Sequence, residues 1–287
     1  PYSVIPAQAG IHGVFQPHAA VLRHPRAGGD PLSDDGFPAA LSYAMLLSPA
    51  YTYPDQVPTQ LRQQGYAVLS PRGVCELAGC TPQELQALLP SWDDLPPDHY
   101  LKDGGRYRRR RHSCFVQDGP RLAQVPHRVH WQPVEYNALH GGMQRWFEPM
   151  QPQVVALPAW TRLLEAMARL ASGLRGAQPW FIEAHQFRID TEGGIGRPTP
   201  EGAHRDGVDL VAVFLVAREG IKGGETRVFQ ADGPAGERFT LTEPWSLLLL
   251  DDERVIHETT PIQPVEGRGH RDTLVLTLRA QGFQGDV

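Results

Sequence analysis

PTPEGAHRDGVDLVAVFLV, residues 198–216, joins a Pro/Gly-rich turn, a His-Arg-Asp triplet and a run of β-forming apolar residues. The triplet therefore stands at the mouth of a strong strand. In extended backbone, residues i and i+2 point to the same side. His204 and Asp206 then present an imidazole and a carboxylate together, with Arg205 turned away. Taken alone, His-x-Asp is a weak signal. A chain with 12 histidines produces chance matches, and this one repeats the triplet in GHRDTLVLT, residues 269–277. A hydrogen-bonded His–Asp pair on a surface turn is the plain alternative.

The neighbouring sequence shifts that balance. KGGETRVF supplies a Gly-Gly turn and a further strand, and LLLLDDERVIHETTPI delivers an isolated histidine, His257, at the start of another. Neutral imidazole and carboxylate are good Fe(II) ligands, and two close ligands plus a distant histidine match the facial triad of non-haem iron oxygenases. In a roll, strands far apart in sequence lie side by side, so the long gap is reasonable.

The second triplet reads differently. Alternation puts Arg271, Thr273, Val275 and Thr277 on one strand face and His270, Asp272, Leu274 and Leu276 on the other. Arg271 and the His270/Asp272 pair cannot share a face. We take Arg271 as the inward residue, placed to grip the distal carboxylate of 2-oxoglutarate through the two-pronged guanidinium–carboxylate geometry. The alternative is a structural arginine closing the sheet edge. Arg268 is a nearby competitor in a Gly-flanked loop.

Around these motifs, the second half is strand-rich. PWFIEAHQFRI, VDLVAVFLV, TRVFQ, ERFTLTE, WSLLLLDD, VIHETTPI and DTLVLTLRA are short β-like runs separated by turn residues, which predicts a sandwich or barrel-like roll. The first half is more helical. Thr81, Pro82 and Glu84 give an N-terminal helix signal, and TRLLEAMARLASGLRG has apolar residues at helical spacing with a Gly stop. Such helices can cover the outside of one sheet.

Composition narrows the function classes. The chain has 287 residues and a formal net charge of −5. That suits one large domain or two small ones and argues against nucleic acid as a partner. The three cysteines, Cys75, Cys80 and Cys114, form no CxxC pair, which points to a reducing compartment and away from a zinc cluster. No apolar run approaches the roughly 20 residues of a membrane span, and the start lacks a signal-peptide plan, so a cytoplasmic location is expected. Residues 1–44 are rich in Pro, Gly and Ala without periodicity, and the first methionine is Met45. VIPAQAGIH and HPRAGGDP resemble translated interspersed repeats upstream of bacterial genes. The expectation is a spurious leader, with a disordered arm as the alternative, ahead of one domain over residues 45–287.

Other candidates stay open at this stage. The Arg106–Arg111 run, RYRRRR, is either a solvated or salt-bridged strand or the source of a receiver for a substrate carboxylate. Gln186 and Arg188 share a strand face and are the candidate substrate residues, with structural packing as the other reading. His185, on the opposite face, reads as a core histidine. A protein-kinase reading of HRD fails, because the downstream Asn, Gly-rich loop and D-F-G are missing.

Together, HQFRID, PTPEGAHRDGVDLV, GGET, DDERVIHETTPI and HRDTLVLT resemble the bacterial 2-oxoglutarate/Fe(II) dioxygenase family that includes L-isoleucine 4-hydroxylase. LPSWDDLPPDHYLKDGGRYRRRRHSCF and YNALHGGMQRWFEPM resemble the first half of the same family. The likeness covers nearly everything after Met45. It implies an α+β fold, a double-stranded β-helix (jelly-roll, cupin-like) core with flanking helices from the N-terminal half. By position it makes His204, Asp206 and His257 the iron ligands and Arg271 the 2-oxoglutarate anchor, with Fe(II), 2-oxoglutarate and O2 as cofactor and cosubstrates. It further implies hydroxylation of an aliphatic C–H in a small molecule, by analogy a free L-amino acid, with succinate and CO2 released. A non-catalytic cupin-like metal-binding module, or a dioxygenase acting on a peptide or other metabolite, is the alternative.

Overall fold

Helix α1 (Val57–Gln64) ends where Gly65 takes a left-handed conformation, φ 80°, and the chain turns directly into strand β1 (Tyr66–Leu69). Helix α2 (Pro71–Ala78) starts from a Ser70 cap, and α3 (Pro82–Gln86) from the expected capping box. In that box the Thr81 hydroxyl accepts from the Glu84 N–H while the Glu84 carboxylate accepts from the Thr81 N–H. Strands β2 (Arg108–Asp118) and β3 (Arg121–Gln124) form a hairpin, and α4 (Pro152–Val155) leads into the long α5 (Pro158–Arg175). Nine strands follow: β4 (Trp180–Asp190), β5 (Leu210–Glu219), β6 (Ile221–Gly223), β7 (Thr226–Gln230), β8 (Gly236–Phe239), β9 (Leu247–Asp251), β10 (Val255–Thr259), β11 (Ile262–Pro264) and β12 (His270–Arg279). This computed structural model describes residues 47–137 and 139–286. The expected leader, residues 1–44, lies outside them.

Seven strands form one sheet in the order β1-β9-β5-β12-β4-β2-β3, and two smaller sheets, β10-β7-β8 and β11-β6, complete the roll. All pairings are antiparallel. This is the double-stranded β-helix core expected from the sequence. Alternation separates the two faces of the large sheet. Leu210, Ala212 and Phe214 of β5, Leu247 and Leu249 of β9, and Leu274, Leu276 and Leu278 of β12 join one core with Trp160, Leu163, Leu164 and Met167 of α5. Val211 and Leu215, with Leu248 and Leu250, join a second core with Val228, Phe239 and Val255 of the three-stranded sheet.

Strands β5 and β9 are thus apolar on both faces because one face meets helices and the other meets strands. Truncating the fully buried Leu163 to Ala is expected to cost about 2–5 kcal/mol by urea unfolding. Towards β12, β4 and β2 the inner face turns polar, and there the cavity lies. Among the described residues, no helix is long and apolar enough to cross a membrane.

Candidate active site

His204 and His257 meet as a backbone bridge, each N–H donating to the other's carbonyl at 3.0 Å. This pairing brings the first triplet beside β10 across a gap of 53 residues in sequence, from 204 to 257. Asp206 stands between the rings. Its Oδ1 is 3.9 Å from His204 Nε2, and its Oδ2 is 3.8 Å from His257 Nε2. These separations are too long for hydrogen bonds and leave room for an ion between the donor atoms. The His204 Nδ1–H donates to the Gly202 carbonyl at 2.9 Å, which leaves the Nε2 lone pair facing Asp206.

The charges of the three groups are poorly matched without a cation. Burial, opposed by His204 and reinforced by Asp252 and Glu201, pushes the Asp206 carboxyl up to about 7. Burial and His204 push His257 well below the ordinary histidine value. Glu201 Oε1 lies 3.5 Å from His204 Nε2, and its Oε2 is buried without a partner among the described residues. A divalent cation would satisfy the carboxylate and take both lone pairs, so the donor set fits Fe(II).

The loop that carries Asp206 is held by a residue that sequence reading missed. The buried Asp252 carboxylate accepts the backbone N–H groups of Asp206, Gly207 and Val208 at 3.0, 2.7 and 3.1 Å, and Arg205 Nε donates to its carbonyl. Gly207 has φ +75°, and a Cβ there would approach the Tyr136 ring to 2.4 Å, so glycine is required on both counts. Gln132 Nε2 donates to Asp206 Oδ1 at 3.4 Å, while its Oε1 accepts from Arg145 at 2.8 Å and Asn137 at 3.3 Å.

Arg271 lines the same cavity, with Thr273, Val275 and Thr277 of its strand face. It is 5% exposed, and among the described residues no acidic side chain lies within ion-pairing distance. Burial, with Arg218 adding to it, lowers its guanidinium to about 10. A buried guanidinium without a counter-charge is a ready site for a carboxylate of a small diacid. Its neighbour Asp272 turns to the other face and accepts two bonds from Arg188, at 2.7 and 2.9 Å.

A second cluster faces this cavity from β2, β4 and the segment before Gln132. His112 Nε2 and His130 Nδ1 donate to Glu183 Oε2 at 2.8 and 2.6 Å, and Arg110 donates to His185 Nδ1 at 2.7 Å. The His112 and His185 rings stack at 4.7 Å with only 19° between their planes. His130 is tilted by 55° and 72° to these two rings, and the four ligand atoms lie within 4.8 Å of one another, but the Glu183 oxygen is already taken by two imidazole donors. Burial works to raise Glu183, but His130 and His112 hold it far below the ordinary carboxylate range. This cluster is a hydrogen-bonded hub centred on an anion.

Strand alternation corrects two expectations. Gln186 and Arg188 lie on the helix-facing side of β4, where Gln186 donates to Ser91 Oγ at 2.6 Å and Arg188 pairs with Asp272 and Asp93. Glu183, His185, Phe187 and Ile189 line the cavity instead. His185 is therefore a wall residue as well as a buried one. In the arginine run, Arg108 and Arg110 turn inward, whereas Arg109 pairs with Asp190 and Arg111 with Asp94 outside. The two-residue period of RYRRRRH pairs Arg108 with Arg110 but does not say that this pair is the inward one. Gln132, Arg145 and Glu183 carry no local signal.

A family model described as 2OG-Fe dioxygenase matches residues 89–277. The chain is similar to the crystal structure of a bsmA homolog from Methylobium petroleophilum PM1, with 53% identity, 84% of this chain and 98% of that chain covered, and a TM-score of 0.79. It shares its fold with IDO from Bacillus thuringiensis (16% identity, 82% and 99% covered, TM-score 0.66) and with the Fe(II)/α-ketoglutarate-dependent dioxygenase TqaL (17%, 82% and 89%, 0.64). No curated protein sequence matches the chain. On the family match and the close structural relative together, the chain belongs to the 2OG-Fe dioxygenase family, enzymes that use Fe(II), 2-oxoglutarate and O2.

Proposed function

We propose that His204, Asp206 and His257 hold the ferrous ion, that Arg271 receives the distal carboxylate of 2-oxoglutarate, and that the substrate is a free L-amino acid hydroxylated at an aliphatic C–H. The observation that carries this reading is the trio of donor atoms all within 4.8 Å of one another, on a cavity that also holds an unpaired buried guanidinium. Iron bound there, with 2-oxoglutarate and O2, supplies the oxidising power for C–H hydroxylation, with succinate and CO2 released.

The chain's own residues do the positioning. Gly202 fixes the His204 ring, and Asp252 fixes the loop bearing Asp206. Arg271 orients a diacid from the far end, as a fixed fork does for a planar carboxylate. Val208, Val213 and Val275 give the cavity an apolar lining that excludes water from the reacting carbon. The three cysteines are all free, which suits a reducing cytoplasm, where we place the protein.

Purified protein supplied with Fe(II), 2-oxoglutarate and the standard L-amino acids in air is expected to form succinate and to add one oxygen atom to at least one of them. Succinate without any oxygenated amino acid would refute the substrate and favour a peptide or other metabolite. Absence of succinate under all conditions would refute the assignment of these residues.

A further inference from the structure

We infer that Arg145 is the receiver of the substrate's carboxylate, a second anion site separate from Arg271. The inference rests on the amino-acid reading above and names the group that would recognise it. Three buried guanidinium groups other than Arg271 line the cavity: Arg108, Arg110 and Arg145. Two are already engaged. Arg108 pairs with Asp98 at 2.7 Å. Arg110 is held between the Phe147 and Phe187 rings, at 3.8 and 4.3 Å, and donates to His185.

Arg145 is different. It is 2% exposed, it makes no ion pair among the described residues, its one side-chain hydrogen bond goes to the neutral Gln132 amide oxygen, and Phe147 is more distant from it, at 6.0 Å, than from Arg110. Of the anions nearby, Asp98 is taken by Arg108 and Glu183 by two imidazoles, while Glu201 makes no ion pair with Arg145 among the described residues. Burying an unpaired cation is costly, and a ligand carboxylate would offset that cost with charge-assisted hydrogen bonds.

The position suits a substrate rather than the cosubstrate. In the sheet register Arg271 on β12 faces Ile189 on β4, which faces Arg108 on β2. Two strand spacings, roughly 10 Å, therefore separate the Arg271 backbone from β2, and Arg145 lies on neither strand but on the segment bridged to His130. Arg145 instead reaches Asp206 through one residue: it donates to Gln132, and Gln132 donates to Asp206. A carboxylate on Arg145 would anchor an amino acid beside the proposed iron site, leaving its side chain to extend towards the oxidant.

The test is calorimetric titration of the protein loaded with Fe(II) and 2-oxoglutarate without oxygen. The probes are the standard L-amino acids and, for each, the amine that lacks the carboxylate. At least one amino acid is expected to bind roughly tenfold or more tighter than its amine. Arg145→Ala is expected to weaken the amino acid by that factor and the amine little, closing the gap, while Arg145→Lys keeps part of it. A merely structural arginine would weaken both probes alike. Binding of no amino acid by the unaltered protein, or a gap that persists in Arg145→Ala, overturns the inference. If Arg145→Ala does not fold, the gap in Arg145→Lys decides: an undiminished gap overturns it equally. Succinate formed by the unaltered protein without any amino acid tests the dioxygenase chemistry separately, so that chemistry can stand when this inference falls.

Discussion

Two groups of histidine and carboxylate face one cavity and are built in opposite ways. In the first, the Asp206 oxygens stand 3.9 Å from His204 Nε2 and 3.8 Å from His257 Nε2, and no hydrogen bond joins the three side chains. In the second, His112 and His130 close on Glu183 at 2.6–2.8 Å, and Arg110 fills the far side of His185. The ring planes differ as well: 47° between His204 and His257, against 19° between His112 and His185. Residue types alone would make both groups metal sites. What separates them is whether the polar atoms satisfy one another or leave a gap that an ion would fill.

The largest effect falls on the first group. His204→Ala, Asp206→Ala or His257→Ala is expected to remove succinate formation and tight Fe(II) binding together. Metal analysis of the unaltered protein should give a single ion per chain, and a second ion lost on replacing His112 would break the contrast between the groups. Next comes Arg271→Ala, expected to cost about 1.5–3 kcal/mol of 2-oxoglutarate binding, or roughly 10–150-fold. Titration of the cosubstrate reads it, and an unchanged affinity removes the anchor.

The second group should show itself in acid. Burial is the first cause that lowers His112, His130 and His185, with His130 brought down to about 3. The folded state keeps them neutral, whereas the unfolded chain takes up protons below about pH 6.5. Their contribution to stability is therefore present above that pH and lost as pH falls below it, with His130, held down to about 3, contributing a slope of about 1.4 kcal/mol per pH unit between those values. Urea unfolding from about pH 7 down to about pH 5 measures the slope. A flat profile would show that these rings are already charged in the folded protein. The smallest effect concerns the link between the groups. Gln132→Leu removes the donor to Asp206 and is expected to weaken metal binding about tenfold, read by competition with a chelator. No change would show the 3.4 Å contact to be idle.

The candidate metal site was legible for a local reason. His204 and Asp206 are two apart in an extended segment, and His257 opens a strand with no other histidine near it, so period and isolation together singled them out. Arg271 followed from the same period-2 logic. Period alone failed at Gln186 and Arg188, because alternation tells which residues share a face but not which face is inward. The packing of the two sheet faces decides that, and it puts Glu183 and His185 on the cavity and Gln186 and Arg188 opposite. Asp252 had a visible trace, two acids after four leucines, yet its acceptance of three backbone N–H groups depends on a loop more than forty positions away, as the spacing to residues 206–208 shows.

By itself, then, the sequence determined most of the strands and their alternation, the Thr81-capped helix and the long helix before β4, and the triplet that marks the ligand loop. These depend on backbone preferences and on neighbours within a few residues. Only the tertiary structure decided which face of β4 lines the cavity, which of two histidine clusters leaves a gap between its side chains, and which buried arginines, Arg271 and Arg145, are left without an ion pair among the described residues. Each of those is a property of distances between strands, and pairing partners are set by the packing of the whole sheet.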